Sequence, residues 1–246
     1  MTERKRIERL HSTDKVILLL GETGVGKSTF INAIGEGECA LVGDSLLPCT
    51  DAIEAFGVTG FGSSVVLVDT PGFGSREDSQ IFYEIISWLA TENIKLWGII
   101  CLLRITDNRI TNTYLSTFRT VGCMVGKDAV ANVVVATTMW DDPNGTNARY
   151  SQREEELRSI YLKVNTFERL GKVQNSDFAT SAWNIIDNVL KQPPFSLLEV
   201  QNEIKSGKSF YETALGRRMK KKKRDLQTSK TLISRIKGYF RAMTGS

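Results

Sequence analysis

The feature that most constrains the fold is an eight-residue segment, Gly21-Glu22-Thr23-Gly24-Val25-Gly26-Lys27-Ser28. It has the spacing G-x-x-x-x-G-K-[ST] of a phosphate-binding loop, and the apolar run before it, residues 16–20, predicts a buried strand. The glycines let the backbone turn tightly, so that successive N–H groups can approach an anion. Residues 29–34 predict a helix that starts at the phosphates and stops at Gly35.

The chemistry of this phosphate loop assigns roles to its last residues. We expect Lys27 to reach the β- and γ-phosphates of a nucleotide and the Ser28 hydroxyl to bind Mg²⁺. The residues expected to contact the nucleotide here are Gly21, Glu22, Thr23, Gly24, Val25, Gly26, Lys27, Ser28 and Thr29.

A second motif, Asp69-Thr70-Pro71-Gly72, follows an apolar strand predicted over residues 64–69. That strand and residues 52–59 predict a hairpin. A carboxylate delivered to the carboxyl edge of a sheet suits a Mg²⁺-bound water, so Asp69 is a candidate metal ligand. The unhindered N–H of Gly72 can contact a γ-phosphate, which makes Gly72, with Lys27, a candidate catalytic residue.

The segment between these motifs, residues 36–51, has glycines, a proline and no periodicity, and it predicts an exposed loop beside the phosphates. Thr50 is the better candidate there for a catalytic hydroxyl on Mg²⁺, and Ser45 is the weaker one. The alternative is a surface loop in which Thr50 has no role.

Later segments predict the rest of an α/β fold, a mainly parallel sheet of about six strands with helices on both faces. Helices are predicted over residues 81–89, 114–125, 147–170 and 184–191, and strands over residues 97–103, 132–137 and 177–180.

Residues 138–141, Thr138-Met139-Trp140-Asp141, have the place and shape of the base-recognition element [NT]-K-x-D. Asp141 can accept hydrogen bonds from guanine N1–H and the exocyclic amino group, a donor pair that adenine lacks. Met139 replaces the lysine, so the base would rest against a thioether. Ser181-Ala182, predicted to follow a strand, would present a backbone N–H to guanine O6.

Taken in order, these motifs resemble the G domains of translation-factor-type GTPases. The combination of residues 21–29, 69–73 and 137–141 is more specifically similar to septin and immune-associated nucleotide-binding (AIG-type) GTPases, closest to fungal members. The resemblance covers residues 15–190 and implies a P-loop NTPase G domain that binds GTP or GDP with Mg²⁺. It also implies a homodimer across the nucleotide face, hydrolysis that depends on the dimer, and work at membranes.

The sequence also departs from the resemblance at Phe73, which stands where a Ras-type protein has the glutamine that orients the attacking water. Hydrolysis should therefore be slow unless a partner or a second copy completes the site. Residues 104–109 match the additional box that such proteins carry; a solvated loop with helix-capping residues is the alternative.

The charge distribution separates the last part of the chain from the rest. Residues 201–246 carry a net charge of +10, whereas residues 1–200 carry −6. We expect a flexible lead-in or short helix over residues 1–14, a G domain over 15–192 and a helical basic extension over 193–246, since two prolines follow Gln192.

The extension has three interpretations. An amphipathic helix, broken near Gly207, is predicted from the apolar residues Leu197, Val200, Ile204, Tyr211 and Leu215. A basic run over 217–224 follows, expected to be extended or frayed unless its charge is neutralised, and then a basic amphipathic helix over 232–240. Residues 217–241 fit an anionic membrane surface. The final helix could instead fold back on the G domain. Nucleic-acid binding has less support, because no recognition motif accompanies the charge.

The sequence thus favours a slow Mg²⁺-dependent GTPase, cytoplasmic or peripheral on a membrane. The alternative is a nucleotide-gated assembly or docking module with negligible hydrolysis; a phosphotransferase has less support because no arginine-rich lid segment is evident. The charged N-terminus does not resemble a signal peptide, and four cysteines without metal-ligand spacing indicate a reducing compartment.

Overall fold

The computed structural model describes residues 3–37, 40, 53–60, 62–73, 78–91, 95–107, 112–126, 131–141, 147–160, 166–171 and 177–220. The strands are β1 Glu3–Ile7, β2 Val16–Gly21, β3 Glu36–Gly37, β4 Glu54–Gly60, β5 Ser63–Asp69, β6 Leu96–Arg104, β7 Val133–Thr138 and β8 Thr166–Arg169. The α-helices are α1 Lys27–Ala33, α2 Asp78–Thr91, α3 Asn112–Val125, α4 Asn147–Ile160, α5 Phe178–Leu190 and α6 Glu199–Lys205.

One eight-stranded sheet organises these elements in the order β3-β1-β4-β5-β2-β6-β7-β8. From β5 to β8 all neighbours are parallel, while β4 runs antiparallel to both β1 and β5. The predicted α/β class, the mainly parallel sheet and the hairpin are confirmed. The sheet exceeds the predicted six strands because β1 and β3 extend it.

The alternation of buried side chains in β2 explains why helices cover both faces. Val16, Leu18 and Leu20 belong to one apolar cluster, which includes residues of α2, α3 and α4. Ile17 and Leu19 belong to a second cluster, which includes residues of α1 and α5. A strand buried on both faces needs an uninterrupted apolar run, which is what the sequence shows here.

Strand β1 corrects the expectation of a flexible or helical lead-in over residues 1–14. It lies between β3 and β4 and pairs with both. Arg4 on this strand is only 4% exposed, and its guanidinium lies 3.0, 2.8 and 2.7 Å from the carbonyl oxygens of Ile31, Asn32 and Gly35. Ile31 and Asn32 lie in the last turn of α1 and Gly35 follows it, at the helix end where a positive charge is favourable. The charged strand is held by these non-local bonds.

Replacing Arg4 with methionine should therefore destabilise the fold, because it removes the donor that the carbonyl oxygens of Ile31, Asn32 and Gly35 share. We expect the free energy of unfolding to fall by roughly 2–4 kcal/mol, measured by urea denaturation. The exposed neighbour Lys5 supplies the control, Lys5→Met, which should change it by less than about 0.5 kcal/mol. Equal effects of the two substitutions would contradict the assigned role of Arg4.

Two predictions between β7 and α5 are wrong. The helix predicted over residues 147–170 ends at Ile160, and its last residues form β8 beside β7. The strand predicted over 177–180 is the start of α5, where the Asp177 carboxylate accepts a 2.6 Å hydrogen bond from the Thr180 N–H. An aspartate that caps a helix N-terminus is a local signal that the sequence contains.

Residues 193–220 pack back on the sheet layer that carries α2 and α3. Phe195 N–H donates to Leu96 O at 2.9 Å, and Asn132 Nδ2 donates to Pro193 O at 2.6 Å. The buried apolar residues of this stretch are Phe195, Leu198, Val200, Leu215 and Met219. The division at residue 192 stays a prediction.

The amphipathic face predicted for the extension is only partly correct. Val200 and Leu215 are buried, but Ile204 and Tyr211 are 38% and 65% exposed. The predicted break near Gly207 is confirmed, since α6 ends at Lys205 and Gly207 has a φ of +96°. After a 3₁₀ turn over Phe210–Glu212, residues 214–220 are helical.

The first residues of the basic run, 217–220, are helical and contact α3, so they are neither extended nor frayed. Arg218 Nε donates to the Thr120 hydroxyl at 3.0 Å. The predicted helix over 232–240 and the rest of the basic run lie outside the described residues. Within the described ranges, no helix combines the length and apolarity that crossing a bilayer requires.

Candidate functional site

The phosphate loop lies where the sequence predicts it, between β2 and α1. Gly24 and Gly26 have φ values of +75° and +97°, which glycine adopts without strain. The loop wraps around the Lys27 side chain, whose Nζ lies 3.3 Å from Gly21 O and 3.2 Å from Glu22 O. Burial lowers the pKa of Lys27 to about 8, against the raising effect of the Asp69 charge. The ammonium is thus held at the centre of the loop.

Ser28 and Asp69 meet beside this lysine. The Ser28 hydroxyl donates a 2.7 Å hydrogen bond to Asp69 Oδ2. Asp69 is fully buried, and burial raises the pKa of its carboxyl, while Ser28 and the Lys27 charge lower it. Its other oxygen, Oδ1, is buried with no hydrogen-bond partner within the described part of the chain. A buried, unsatisfied carboxylate oxygen next to a serine hydroxyl fits Mg²⁺ with its bound water.

Gly72 and Phe73 attach the second motif to the phosphate loop through the backbone. Phe73 N–H donates to Gly21 O at 3.0 Å, and Thr23 N–H donates to Phe73 O at 3.1 Å. A Cβ on Gly72 would lie 2.4–2.6 Å from atoms of Thr23, so only glycine fits there. The Phe73 ring is buried and stacks on Phe82 of α2 at 4.7 Å.

The end of β6 also reaches the phosphate loop. Arg104 Nη2 lies 3.4 Å from the Glu22 carboxylate, and its Nε lies 3.3 Å from Asp107. Arg104 and Asp107 thus join the polar segment predicted over 104–109 to the rim of the loop. Residues 108 and 109 lie outside the described residues, and so do Thr50 and Ser45, whose roles stay predictions.

The predicted base-reading segment, residues 138–141, begins at the last residue of β7 and is tied to the phosphate loop. The Thr138 hydroxyl lies 3.0 Å from Val25 O and 3.3 Å from Leu103 O. Met139 has a φ of +62° and is 41% exposed, and Asp141 is exposed. The segment therefore presents a thioether and a carboxylate at the surface, next to the loop that would hold the phosphates.

The placement predicted for Ser181 and Ala182 is wrong. Both lie in the first turns of α5 and are buried, and the Ser181 N–H donates to Asp177 O as part of the helix. The residue that follows a strand here is Gly171, after β8, which lies against Asp141: a Cβ on it would be 3.7 Å from Asp141 Oδ2. The Ser181 hydroxyl accepts the Gly171 N–H at 3.2 Å and supports this turn.

Some residues around the base-reading segment were not anticipated from the sequence. Arg169 of β8 lies 4.2 Å over the Trp140 ring, and Glu154 of α4 holds the Arg169 guanidinium. Arg153 donates to Ile105 O at 2.9 Å and thereby fixes α4 to the end of β6. These contacts join elements far apart in the sequence, so no local motif reports them.

Comparison with known proteins supports the resemblance to AIG-type GTPases. Residues 15–178 match the AIG1 family. Over 64 residues the chain is 49% identical to Translocase of chloroplast 90, chloroplastic, from Arabidopsis thaliana, a match that covers 26% of this chain and 8% of that protein's length. The similarity to septins and to fungal members stays a prediction.

Solved structures show the same fold at low identity. Toc33 from Arabidopsis thaliana, in complex with Mg²⁺ and GMPPNP, is 17% identical with a TM-score of 0.55, over 74% of this chain and 86% of that one. Era from Aquifex aeolicus, bound to GDP·AlF4⁻, is 15% identical with a TM-score of 0.52, over 73% and 56%. With the family match over most of the chain, these results show that the protein is a G-domain protein of the AIG1 family.

Proposed function

We propose that this protein binds GTP and GDP with Mg²⁺ and slowly hydrolyses GTP to GDP. The observation that carries this proposal is the hydrogen bond from Ser28 to the buried Asp69, whose other carboxylate oxygen is unsatisfied among the described residues, beside the enclosed Lys27 ammonium. The set combines a fixed positive charge with oxygen ligands at the end of a phosphate loop, which is the arrangement that phosphoryl transfer requires.

Each residue of the site has a defined task in this proposal. The Lys27 ammonium, which donates to the carbonyls of Gly21 and Glu22, would donate to phosphate oxygens when the nucleotide binds. The loop then needs little movement to bind the phosphates. Ser28 and Asp69 would hold Mg²⁺, directly or through water, and the bound ion would supply positive charge beside the phosphates. Gly72 contacts the γ-phosphate, and Thr50 adds a hydroxyl ligand.

Base recognition is assigned to Asp141 and its neighbours. The exposed Asp141 carboxylate accepts hydrogen bonds from guanine N1–H and the amino group, and the exposed Met139 side chain supports the base. Because Ser181 and Ala182 are inside α5, the turn at Gly171 replaces them as the candidate neighbour of guanine O6.

Phe73 is the reason to expect slow hydrolysis by one copy of the chain. Its ring is 1% exposed in the apolar core, so it cannot orient an attacking water. A second copy that meets the nucleotide face would complete the site. Dimerisation is important for the GTPase activity of chloroplast translocon components atToc33 and psToc159, whose structure is 16% identical to this chain with a TM-score of 0.56.

The basic extension supports a cytoplasmic protein that associates with an anionic membrane surface. Residues 217–224 include seven Lys or Arg side chains, and each one near such a surface contributes about 1 kcal/mol. The described start of this run is anchored on α3 through Arg218, which fixes where the charge leaves the G domain.

A nucleotide-gated assembly module that hardly hydrolyses GTP is the second candidate, favoured by the buried position of Phe73. Steady-state GTP hydrolysis per subunit, measured across a hundredfold range of protein concentration, separates the two. Activity that rises with concentration for GTP and not ATP, and that Lys27→Ala abolishes, supports a GTPase completed by its dimer. A rate equal to that of Lys27→Ala, despite tight guanine-nucleotide binding, supports the module.

A further inference from the structure

The base-reading segment is in an unfavourable backbone conformation and needs external support. Met139 has a φ of +62°, a left-handed value that is uncommon for residues other than glycine, asparagine and aspartate. Such conformations persist where the surroundings hold them, and they cluster at functional sites. The Met139 side chain is 41% exposed, and its contact with the Thr106 hydroxyl, Oγ1 to Sδ at 3.7 Å, is weak.

The support comes from the next residue, Trp140. Its indole Nε1–H lies 3.2 Å from Thr137 O and 3.0 Å from Thr137 Oγ1, and Tyr150 of α4 packs against the ring edge-on at 6.0 Å. The Arg169 guanidinium covers the ring at 4.2 Å, well within the range of a cation–π contact. The indole is therefore held by a hydrogen bond, an aromatic edge and a cation.

Arg169 is itself held through both its backbone and its guanidinium. Its backbone pairs with Thr137 across β7 and β8, and Leu170 N–H donates to Thr137 O at 2.8 Å. Its guanidinium is held by two hydrogen bonds to Glu154 Oε2, one of them 3.0 Å long, and Glu154 is 4% exposed. A planar guanidinium with both an ion pair and a stacking partner has little freedom to move.

We infer that Arg169 is a positioning residue for base recognition: it clamps Trp140 and so holds Asp141 where the carboxylate reads guanine. The inference rests on the proposed nucleotide binding. Trp140 lies between Met139 and Asp141, so a shift of its ring displaces both residues that face the base. A fixed carboxylate rejects a base that lacks its donor pair, whereas a loosened one adapts to it.

The test compares the dissociation constants of GDP and IDP, since inosine lacks the exocyclic amino group that Asp141 would recognise. Wild-type protein should bind GDP more tightly than IDP. Arg169→Ala should lower the ratio of the IDP dissociation constant to the GDP dissociation constant at least fivefold. Arg158→Ala is the matched control. Arg158 also pairs with Glu154, at 3.3 Å, but its guanidinium lies over Phe167 and not over Trp140, so this variant should keep the ratio within twofold.

Arg169→Lys keeps the charge without the planar stack, so it should also lower this ratio. It serves as the test variant if Arg169→Ala does not fold. The inference is overturned if either Arg169 variant weakens GDP and IDP equally, or if Arg158→Ala lowers the ratio as much. A wild-type protein without preference for guanine would overturn the proposed base recognition itself, and the inference with it. If the wild type prefers GDP to IDP and the Arg169 variants keep that preference, the inference is overturned while the proposed base recognition stands.

Discussion

Replacing Asp69 with asparagine is expected to abolish Mg²⁺-dependent GTP hydrolysis while leaving the fold in place. The buried Oδ1 oxygen has no hydrogen-bond partner among the described residues, and the adjacent Oδ2 accepts from Ser28. An amide has the same shape but no charge, so it cannot order a cation or its bound water. Loss of metal-borne charge stabilisation should lower the steady-state rate by roughly 100-fold or more.

The dependence of thermal unfolding on metal separates this effect from misfolding. For wild-type protein, GDP with Mg²⁺ at one hundred times its Kd should stabilise the native state by about 2.7 kcal/mol. The same concentration of GDP with a chelator should stabilise it less. In Asp69→Asn, GDP should stabilise the protein equally with Mg²⁺ and with the chelator. In the control Asp187→Asn, which removes a charge from α5, GDP should still stabilise it more with Mg²⁺. A metal-dependent increase in the variant would show that Asp69 is not a ligand.

The parts of the site that the sequence predicts are those whose information is local. The phosphate loop, the strand before it and the motif from Asp69 to Gly72 each depend on a few adjacent residues, and the structure joins them as expected through Ser28. The signal for the start of α5 is equally local, because Asp177 is a capping residue, although the pattern of residues 177–180 by itself predicts a strand.

The other differences arise from contacts that no window of sequence contains. Strand β1 consists mostly of charged residues, and the burial of Arg4 depends on carbonyl groups more than 25 residues away. The Trp140 clamp likewise needs Arg169 from β8 and Glu154 from α4. Motifs therefore locate segments such as the phosphate loop, whereas the residues that hold those segments in place appear only in the folded chain.

The second large effect is expected from Gly72→Ala, because this glycine allows two backbone segments of the site to touch. An added Cβ would lie 2.5 Å from Thr23 Cα and 2.6 Å from Thr23 N, closer than real Cβ atoms approach other atoms. The phosphate loop or the Asp69 motif must therefore shift. Both are backbone, so no flexible side chain can absorb the displacement.

The shift should affect catalysis more than binding. It would disturb the paired backbone bonds between Gly21, Thr23 and Phe73, and with them the distance from the Gly72 N–H to the γ-phosphate. Since a displacement of about 1 Å can cost roughly 100-fold in rate, we expect a loss of that order in GTP hydrolysis. GDP, which has no γ-phosphate, should bind with less than about a tenfold change.

Gly122→Ala is the matched control for this substitution. Gly122 lies inside α3 and has open space at its Cβ position, so the same added methyl group should leave hydrolysis unchanged. It should also stabilise the helix by about 0.5–1 kcal/mol. If Gly72→Ala hydrolyses GTP at the rate of Gly122→Ala, the close contact between Gly72 and Thr23 is not needed for turnover. A loss of GDP and GTP binding alike would instead show that this contact builds the whole phosphate site.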